Sequence, residues 1–505
     1  MTTVRDLMSS PALVCGTDVS LADAAEKMRD AGSGSIIVVD DGKAIGILTE
    51  RDLLRSAAAR SDPNQERVGL WMTANPDTLG PEEEVGAAWS SLSHHHYRHL
   101  PVVDAGVLVG VVSIRDLFAI ASLRPADEVA HEVPRGLEGV VVSETTVGDV
   151  RGREGFFHYR QYSAVELAAT RSLEDAWFLL FDGQLPTAEQ SSRFRAEIVE
   201  LRSLPPGLAA LLPSLAGQGS PLDVLRTGVS LLGAELGWRP TTDIDAPTLR
   251  NQATHLCAVV PTLLTSAYRI RSGLEPLPPH RDLGSAANYL WMLTGEEPSA
   301  EKARALEQYL MLTIDHGFNS STFTARVITS TGADLAAAIC GAVGALSGPL
   351  HGGAPSRALD MLDEIGTPDA ADAWIRDAIG RGERIMGFGH RVYKTDDPRS
   401  VFLRDVARDI RAPLVDFACD VERIVVAALA ELKPGHELYA NVEFFAGVVM
   451  NACGIPRQMF TPTFAASRVI GWATHVMEQA ADNRLIRPTA LYVGPPPPEP
   501  VPPAP

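Results

Sequence analysis

Three histidines in this chain sit in glycine-rich turns: His316 in DHGFNSSTF, His351 in GPLHGGAPS and His390 in GERIMGFGHRVYKTDDPR. Glycine permits tight turns and close backbone approach, so a histidine held between glycines can be presented to a small molecule from an uncluttered loop. Arg399, Arg468 and Arg487 follow downstream. A planar guanidinium grips a carboxylate with two parallel N–H bonds, which suits an anionic ligand. Each feature alone has a plain structural explanation, because most glycine turns are only turns and a lone histidine or arginine is more often a satisfied core group or a surface charge. It is the company they keep that marks the stretch from Gly348 to Arg399 as the wall of a site.

A second set of chemistry-bearing residues lies in an internal repeat. Met8 and Met72, Asp40 and Asp104, Gly46 and Gly110, Thr49 and Ser113, and Asp52 and Asp116 are all 64 positions apart. Each copy predicts a helix (Leu21 to Asp30; Glu84 to Ser93), a strand pair (IIVVD with GILT; LPVVD with GVVS) and a closing helix. Short β-branched runs bounded by Gly and Asp are buried-strand signals, and two copies imply a pseudo-twofold α/β module. In GILTERD and GVVSIRD a hydroxyl and a carboxylate stand three residues apart where a strand runs into a helix. Thr49 with Asp52, and Ser113 with Asp116, can hydrogen-bond a ribose diol while the helix N-terminus favours phosphate. The same residues can equally be helix caps. These motifs resemble the end of a cystathionine-β-synthase-type (CBS) domain, and residues 1–121, copies about 1–60 and 65–121, resemble one complete tandem CBS module. The resemblance implies an adenosine-bearing effector, ATP, ADP, AMP or S-adenosylmethionine.

The rest of the chain must position the histidines. The 505 residues suggest about three domain-sized units, and 45% hydrophobic content fills large cores. A net charge of −19 argues against nucleic acid or an anionic membrane as partner. Cys15, Cys257, Cys340, Cys419 and Cys453 show no CxxC spacing, so we expect neither zinc nor disulfides, buried thiols and a reducing cytoplasm. Charges in Met1 to Ser10 argue against a secretory signal. The uncharged run from Leu335 to Leu350 is short of the ~20 residues that span a bilayer and reads as a buried helix. HHHYRH, His94 to His99, is a poor metal site because consecutive side chains diverge, and it reads as a solvated connection. SLRPADEVAHEVPR, residues 122–135, reads as a linker, and residues 495–505 as an extended proline-rich tail. From Gly136 we expect a few short strands in GLEGVVVSETTVGDV and FFHYRQYS, then a mostly α domain. Pro261 should kink or interrupt its apolar helix.

Across Gly136 to about Gly494, in order, GLEGVVVSET, DGQLPT, GLEP, AANYLWMLTGEEPS, DHGFNSSTFTARV, GPLHGGA, GFGHRVYKTDDPR, FTPTFAASRVIGWATHVMEQ and IRP resemble the citrate synthase family. The resemblance implies a mostly α, citrate-synthase-like helical domain with large and small subdomains, the small one roughly 356–455. It also implies condensation of acetyl-CoA with oxaloacetate to citrate and CoA, by an acyltransferase needing no metal or covalent cofactor beyond the CoA thioester co-substrate. Such chemistry needs a carboxylate to take a carbon-bound proton, a donor for the enol oxygen and a donor for the ketone. By resemblance His351 stabilises the enol, His390 polarises the ketone, and His316, Arg399, Arg468 and Arg487 bind oxaloacetate. Arg487 would reach into a neighbouring subunit, which implies a homodimer or a larger oligomer.

Where the family has PNVDFYSG this chain has ANVEFFAG, so Glu443 stands in the place of the catalytic aspartate, Ala440 replaces proline and Pro355 replaces an asparagine. Glutamate has nearly the same intrinsic acidity but reaches about one bond further, and ~1 Å of misplacement can cost about 100-fold. Asn441 should cap a helix starting at Val442, which would favour an ionised Glu443. Three readings stay open: a citrate synthase adjusted to glutamate; a 2-methylcitrate synthase, or a relative that hydrolyses or cleaves citryl-CoA; and a nucleotide sensor whose synthase domain turns over weakly.

Overall fold

In the computed structural model, residues 3–85, 99–113, 135–137, 139–351, 354–390, 392–432, 438–495 and 497–498 are described. The chain divides into two units, residues 1–140 with 491–505, and residues 141–490. In the first, helix α1 (Leu21–Asp30) is followed by strands β1 (Ser35–Asp40) and β2 (Lys43–Thr49), then by helix α2 (Glu50–Ala58). In the second copy, β3 (His99–Asp104) and β4 (Val107–Ser113) form the equivalent pair. Both hairpins turn on two residues with positive φ, Asp41–Gly42 and Ala105–Gly106, the conformation that matches the right-handed twist of paired strands. Both ladders also slip at the same place, between Val38 and Val39 and between Val102 and Val103. The repeat is therefore structural down to its irregularities.

The methionines of the repeat serve the exchange of N-terminal segments between copies. Ser9 bridges to Val111 of β4, and a Cβ on Gly110 would stand 2.7 Å from Met8 Sδ. Thr73 and Ala74 pair with β2, and a Cβ on Gly46 would stand 2.3 Å from Met72 Sδ. Two apolar cores result, one built on Leu21, Ile36 and Leu48 and one on Val4, Leu100 and Val112. The expected helix Glu84 to Ser93 from residue 86 on, the second copy's closing helix, His94 to Arg98 and the linker up to residue 134 lie outside the described residues, and Glu84 itself bridges to Thr3. His99 belongs to β3 rather than to a connection.

In the second unit a three-stranded sheet, β5 (Gly148–Arg151), β6 (Phe156–Tyr159) and β7 (Tyr162–Ser163), precedes the helices. These are the few short strands expected in GLEGVVVSETTVGDV and FFHYRQYS; the first begins only at Gly148, and Val140 to Val142 ahead of it are exposed, Val141 at 87%. A run of valines forms a strand only when a neighbour pairs its backbone and covers its side chains. The unit is otherwise helical, and the helices that matter for function are α3 (Ala246–Arg271), α4 (Ala300–Thr313), α5 (Ser320–Ser330), α6 (Leu335–Leu346), α7 (Pro398–Asp409), α8 (Val442–Ala452) and α9 (Phe460–Ala481). Pro261 does not interrupt α3, which runs unbroken from Ala246 to Arg271. Residues 256–260 and 262–267 around it are buried, so packing holds the helix although one N–H is missing. The expected buried helix at Leu335 is α6.

Helix α9 is the axis of this unit. From Phe460 to Val476 it is buried on nearly every side, with Trp472 wholly enclosed. Gly471 makes the packing possible, because a Cβ there would lie 2.1 Å from the Ile314 carbonyl oxygen. The backbone at the end of α4 therefore rests directly on α9.

Candidate active site

The loop after α4 carries His316. Tyr159, at the end of β6, donates from its buried hydroxyl to the carbonyls of Met311 (2.8 Å) and Asp315 (3.2 Å), which fixes where the helix stops. His316 Nε2 meets the Tyr393 hydroxyl at 3.0 Å, and its ring lies 5.6 Å from Phe157 and 5.4 Å from His390, centroid to centroid. Burial and the nearby Arg399 cation push its pKa well below the usual value, so it is a neutral ligand.

His390 is presented by a loop in which Gly387 and Gly389 both have φ of +82°. Three bonds pin that loop to the segment before α8: Gly389 N to Tyr439 O (2.8 Å), Asn441 N to Gly387 O (2.8 Å) and Asn441 Nδ2 to Gly389 O (3.0 Å). His390 Nδ1 accepts from the amides of Val392 (3.0 Å) and Tyr393 (3.1 Å). Those two amides orient the ring, and its Nε2 edge lies 3.4 Å from Arg399 Nη2, beside the cation that would hold an anionic ligand. Burial, then Arg399, lowers the pKa to about 4, so the ring stays neutral.

Arg399 opens α7 and is held by Asp397, the helix cap, through Nε (3.0 Å) and Nη2 (2.7 Å). Both side chains are buried, at 3% and 1% exposure. Asp397 also accepts from the Val442 amide at 3.1 Å, so one carboxylate joins the arginine to the first turn of α8. Arg468, on α9, donates from Nε to the Thr313 carbonyl (2.8 Å) and stacks 4.4 Å from the Phe464 ring centre. Burial lowers its pKa to about 10, still cationic at neutral pH.

Asn441 caps α8 as expected, its Oδ1 accepting from the Glu443 amide at 3.1 Å. The expected consequence for Glu443 is overturned. Its carboxyl is pushed up to about 7 by burial, with Asp397 adding to the rise and Arg399 offsetting only part of it. Desolvation of a charge outweighs a helix dipole contribution of about 0.3–1 kcal/mol.

His351 and Glu443 line one cavity of about 340 Å³, open mouth included, with Tyr309, Thr313, Val442, Ala446, Thr461 and Phe464. Its Nε2 lies 2.8 Å from Ser321 Oγ, which takes an N–H from Trp472 (3.1 Å) and lies 2.8 Å from Asn319 Oδ1. Asn319 Oδ1 already accepts two backbone amides. Asn319 Oδ1 can only accept, so Ser321 Oγ donates its one proton there, and its contact with Nε2 fixes the orientation of the His351 ring. Burial, then Arg468, lowers the His351 pKa to about 4.

The structure thus gathers His316, His351, His390, Arg399, Arg468 and Glu443, and leaves Arg487 exposed beyond the end of α9. Tyr393, Asp397, Ser321 and Trp472 escaped the sequence reading; of these only Asp397, a cap residue before the proline of DDPR, carried a local signal. Among the described residues no cluster of His, Cys, Asp and Glu could hold a metal, and no helix is long and apolar enough to cross a membrane. In the first unit Thr49 and Asp52 bond each other in a capping box, Oγ1 to Oδ2 at 2.7 Å, with Arg55 on the other oxygen at 3.1 Å. Ser113 ends β4, and Asp116 lies outside the described residues. The cysteines are free; Cys15, Cys257 and Cys453 are buried, whereas Cys340 and Cys419 are only partly so.

The profile of the family described as "Citrate synthase, C-terminal domain" matches residues 136–489, and that of the "CBS domain" matches residues 4–59 and 67–122. The chain is 38% identical to a citrate synthase of Deinococcus radiodurans, over 72% of this chain and 96% of that protein. It is 39% identical to a 2-methylcitrate synthase of Mycobacterium tuberculosis, over 73% and 93%. Among solved structures it resembles the ternary complex of carboxymethyl coenzyme A and oxaloacetate with citrate synthase from Thermoplasma acidophilum, with TM-score 0.68 and 29% identity over 74% of this chain and 98% of that one.

Proposed function

The chain belongs to the citrate synthase family and carries a CBS pair, and from its site we propose that it condenses acetyl-CoA with oxaloacetate, giving citrate and CoA under control of an adenine nucleotide. The observation that carries this reading is that Glu443 and His351 line one cavity, near the cluster of His316, His390, Arg399 and Arg468. Arg399 and Arg468 hold the dicarboxylate, and His316 adds a neutral contact. Ionised Glu443 takes a proton from the acyl carbon while His351, held by Ser321, stabilises the enol oxygen. The enol carbon attacks the ketone, whose oxygen gathers charge against His390. Water then cleaves the thioester, releasing CoA.

Arg487, exposed in the single chain, fits a role across a homodimer interface. Thr49, Asp52, Ser113 and Asp116 are the proposed nucleotide contacts; Asp52 would exchange its cap bonds for a ribose. Five free cysteines suit a cytoplasmic protein. A relative named 2-methylcitrate synthase, at comparable identity, favours a second reading in which propionyl-CoA is the better acyl donor. Thiol release from acetyl-CoA and from propionyl-CoA, each with and without oxaloacetate, decides. Oxaloacetate-dependent release supports condensation and the faster thioester names the donor. Release without oxaloacetate indicates a hydrolase, and no release indicates a sensor.

A further inference from the structure

Tyr309 lies on α4 one turn before Thr313, and it is 1% exposed. Its hydroxyl has no hydrogen-bond partner among the described residues, although it lines the same cavity as Glu443. A buried hydroxyl without a partner is costly and calls for an explanation. Glu443 mirrors it: its backbone amide is capped by Asn441, but among the described residues nothing donates to its carboxylate. The neighbouring donors are engaged elsewhere. Thr313 bonds the Tyr309 carbonyl at 3.0 Å, Tyr289 bonds Thr463 at 2.8 Å, and Arg468 Nε bonds Thr313.

We infer that Tyr309 is a positioning residue for the base, its hydroxyl donating to the ionised Glu443 carboxylate and fixing the side of the cavity from which that carboxylate works. The inference rests on the reading of Glu443 as the base. Glutamate has one more rotatable bond than the family's aspartate, so its carboxylate has more orientations to lose before it can act. A donor from the opposite wall selects one of them. Burial and the Glu443 charge both push the phenol pKa upward, so Tyr309 keeps its proton while the carboxylate titrates. The charged groups that act on Glu443 are Arg399 at the start of α7 and its cap Asp397; Tyr309 feels Glu443, Arg468 from α9, Tyr289 and Arg399, and His351 lines the same cavity.

Tyr309→Phe keeps the ring and removes only the hydroxyl. The acid limb of kcat/KM for acetyl-CoA should move up by about one pH unit and kcat should fall about tenfold. KM for oxaloacetate and the melting temperature should hold, since a merely structural phenol would move Tm and leave the acid limb in place. Titration of the Glu443 carboxyl by carbon-13 NMR in the free protein, assigned against Glu443→Gln, reads the contact without turnover. An upward shift in Tyr309→Phe supports the inference, and an unmoved titration or acid limb overturns it. If the wild-type protein releases no thiol the proposed function fails, while the titration still decides the role of Tyr309.

Discussion

Glu443 joins two properties that pull against each other, a half-buried position that suits proton abstraction and a charge that burial opposes. Its carboxyl titrates near 7, and only the ionised form can take a proton, so kcat/KM should rise as pH climbs through about 7 and level off above it. A pH profile flat down to 5 would remove Glu443 from the base role. Stability runs the other way. The unfolded carboxyl ionises from about 4.3 while the folded one holds its proton, so stability is lost as pH rises from about 4.5 through about 7. Glu443→Gln should therefore cost about 10²–10⁴-fold in CoA release yet raise the melting temperature at pH 8. Glu443→Asp restores the family residue but retracts the carboxylate by about 1 Å, and steady-state rates should drop about 100-fold unless the backbone follows. The exchange of aspartate for glutamate was legible in ANVEFFAG. The raised pKa was not, because burial is made by Tyr309, Phe464 and Ala446 from three helices.

At the scale of elements, two short connections do the positioning. Asn441 caps α8 and donates to Gly389 O, so one side chain ties the base helix to the His390 loop. Asn441→Ala should destabilise by about 0.5–2 kcal/mol and lower kcat through a loosened His390. Asn441→Asp keeps the cap acceptor but loses the donor, so denaturation should recover and kcat should not; recovery of both would dismiss the tie. The cap was readable from Asn441 alone. The link from Asp397 to Val442, 45 residues apart, was not. The same difference explains why the strand of GLEGVVVSETTVGDV starts only at Gly148, past the exposed valines, and why the helix survived Pro261: local propensity proposes an element, and the neighbours that cover it decide.

For the whole molecule, the fusion of a CBS pair to a synthase predicts that a ligand of the first unit alters the second. ATP, ADP, AMP and S-adenosylmethionine should be compared by thermal shift and by rate; if all four leave both unchanged, the regulatory reading falls. Asp52→Ala should abolish any shift seen without changing the unliganded rate. Arg487→Ala should raise KM for oxaloacetate about 10-fold or more while sedimentation shows the same assembly as the unaltered protein, and an unchanged KM would remove Arg487 from the site. What the sequence determined by itself was the inventory. The 64-residue repeat, the glycine-borne histidines, the arginines and the odd glutamate are properties of residue type and order, which no folding can change. What only the tertiary structure decided was their state. The contacts that orient His390, the Ser321 contact that orients His351, the pKa of Glu443 and the open hydroxyl of Tyr309 all depend on distances that folding sets, and Gly471 on α9 sets one such distance by letting two backbones touch.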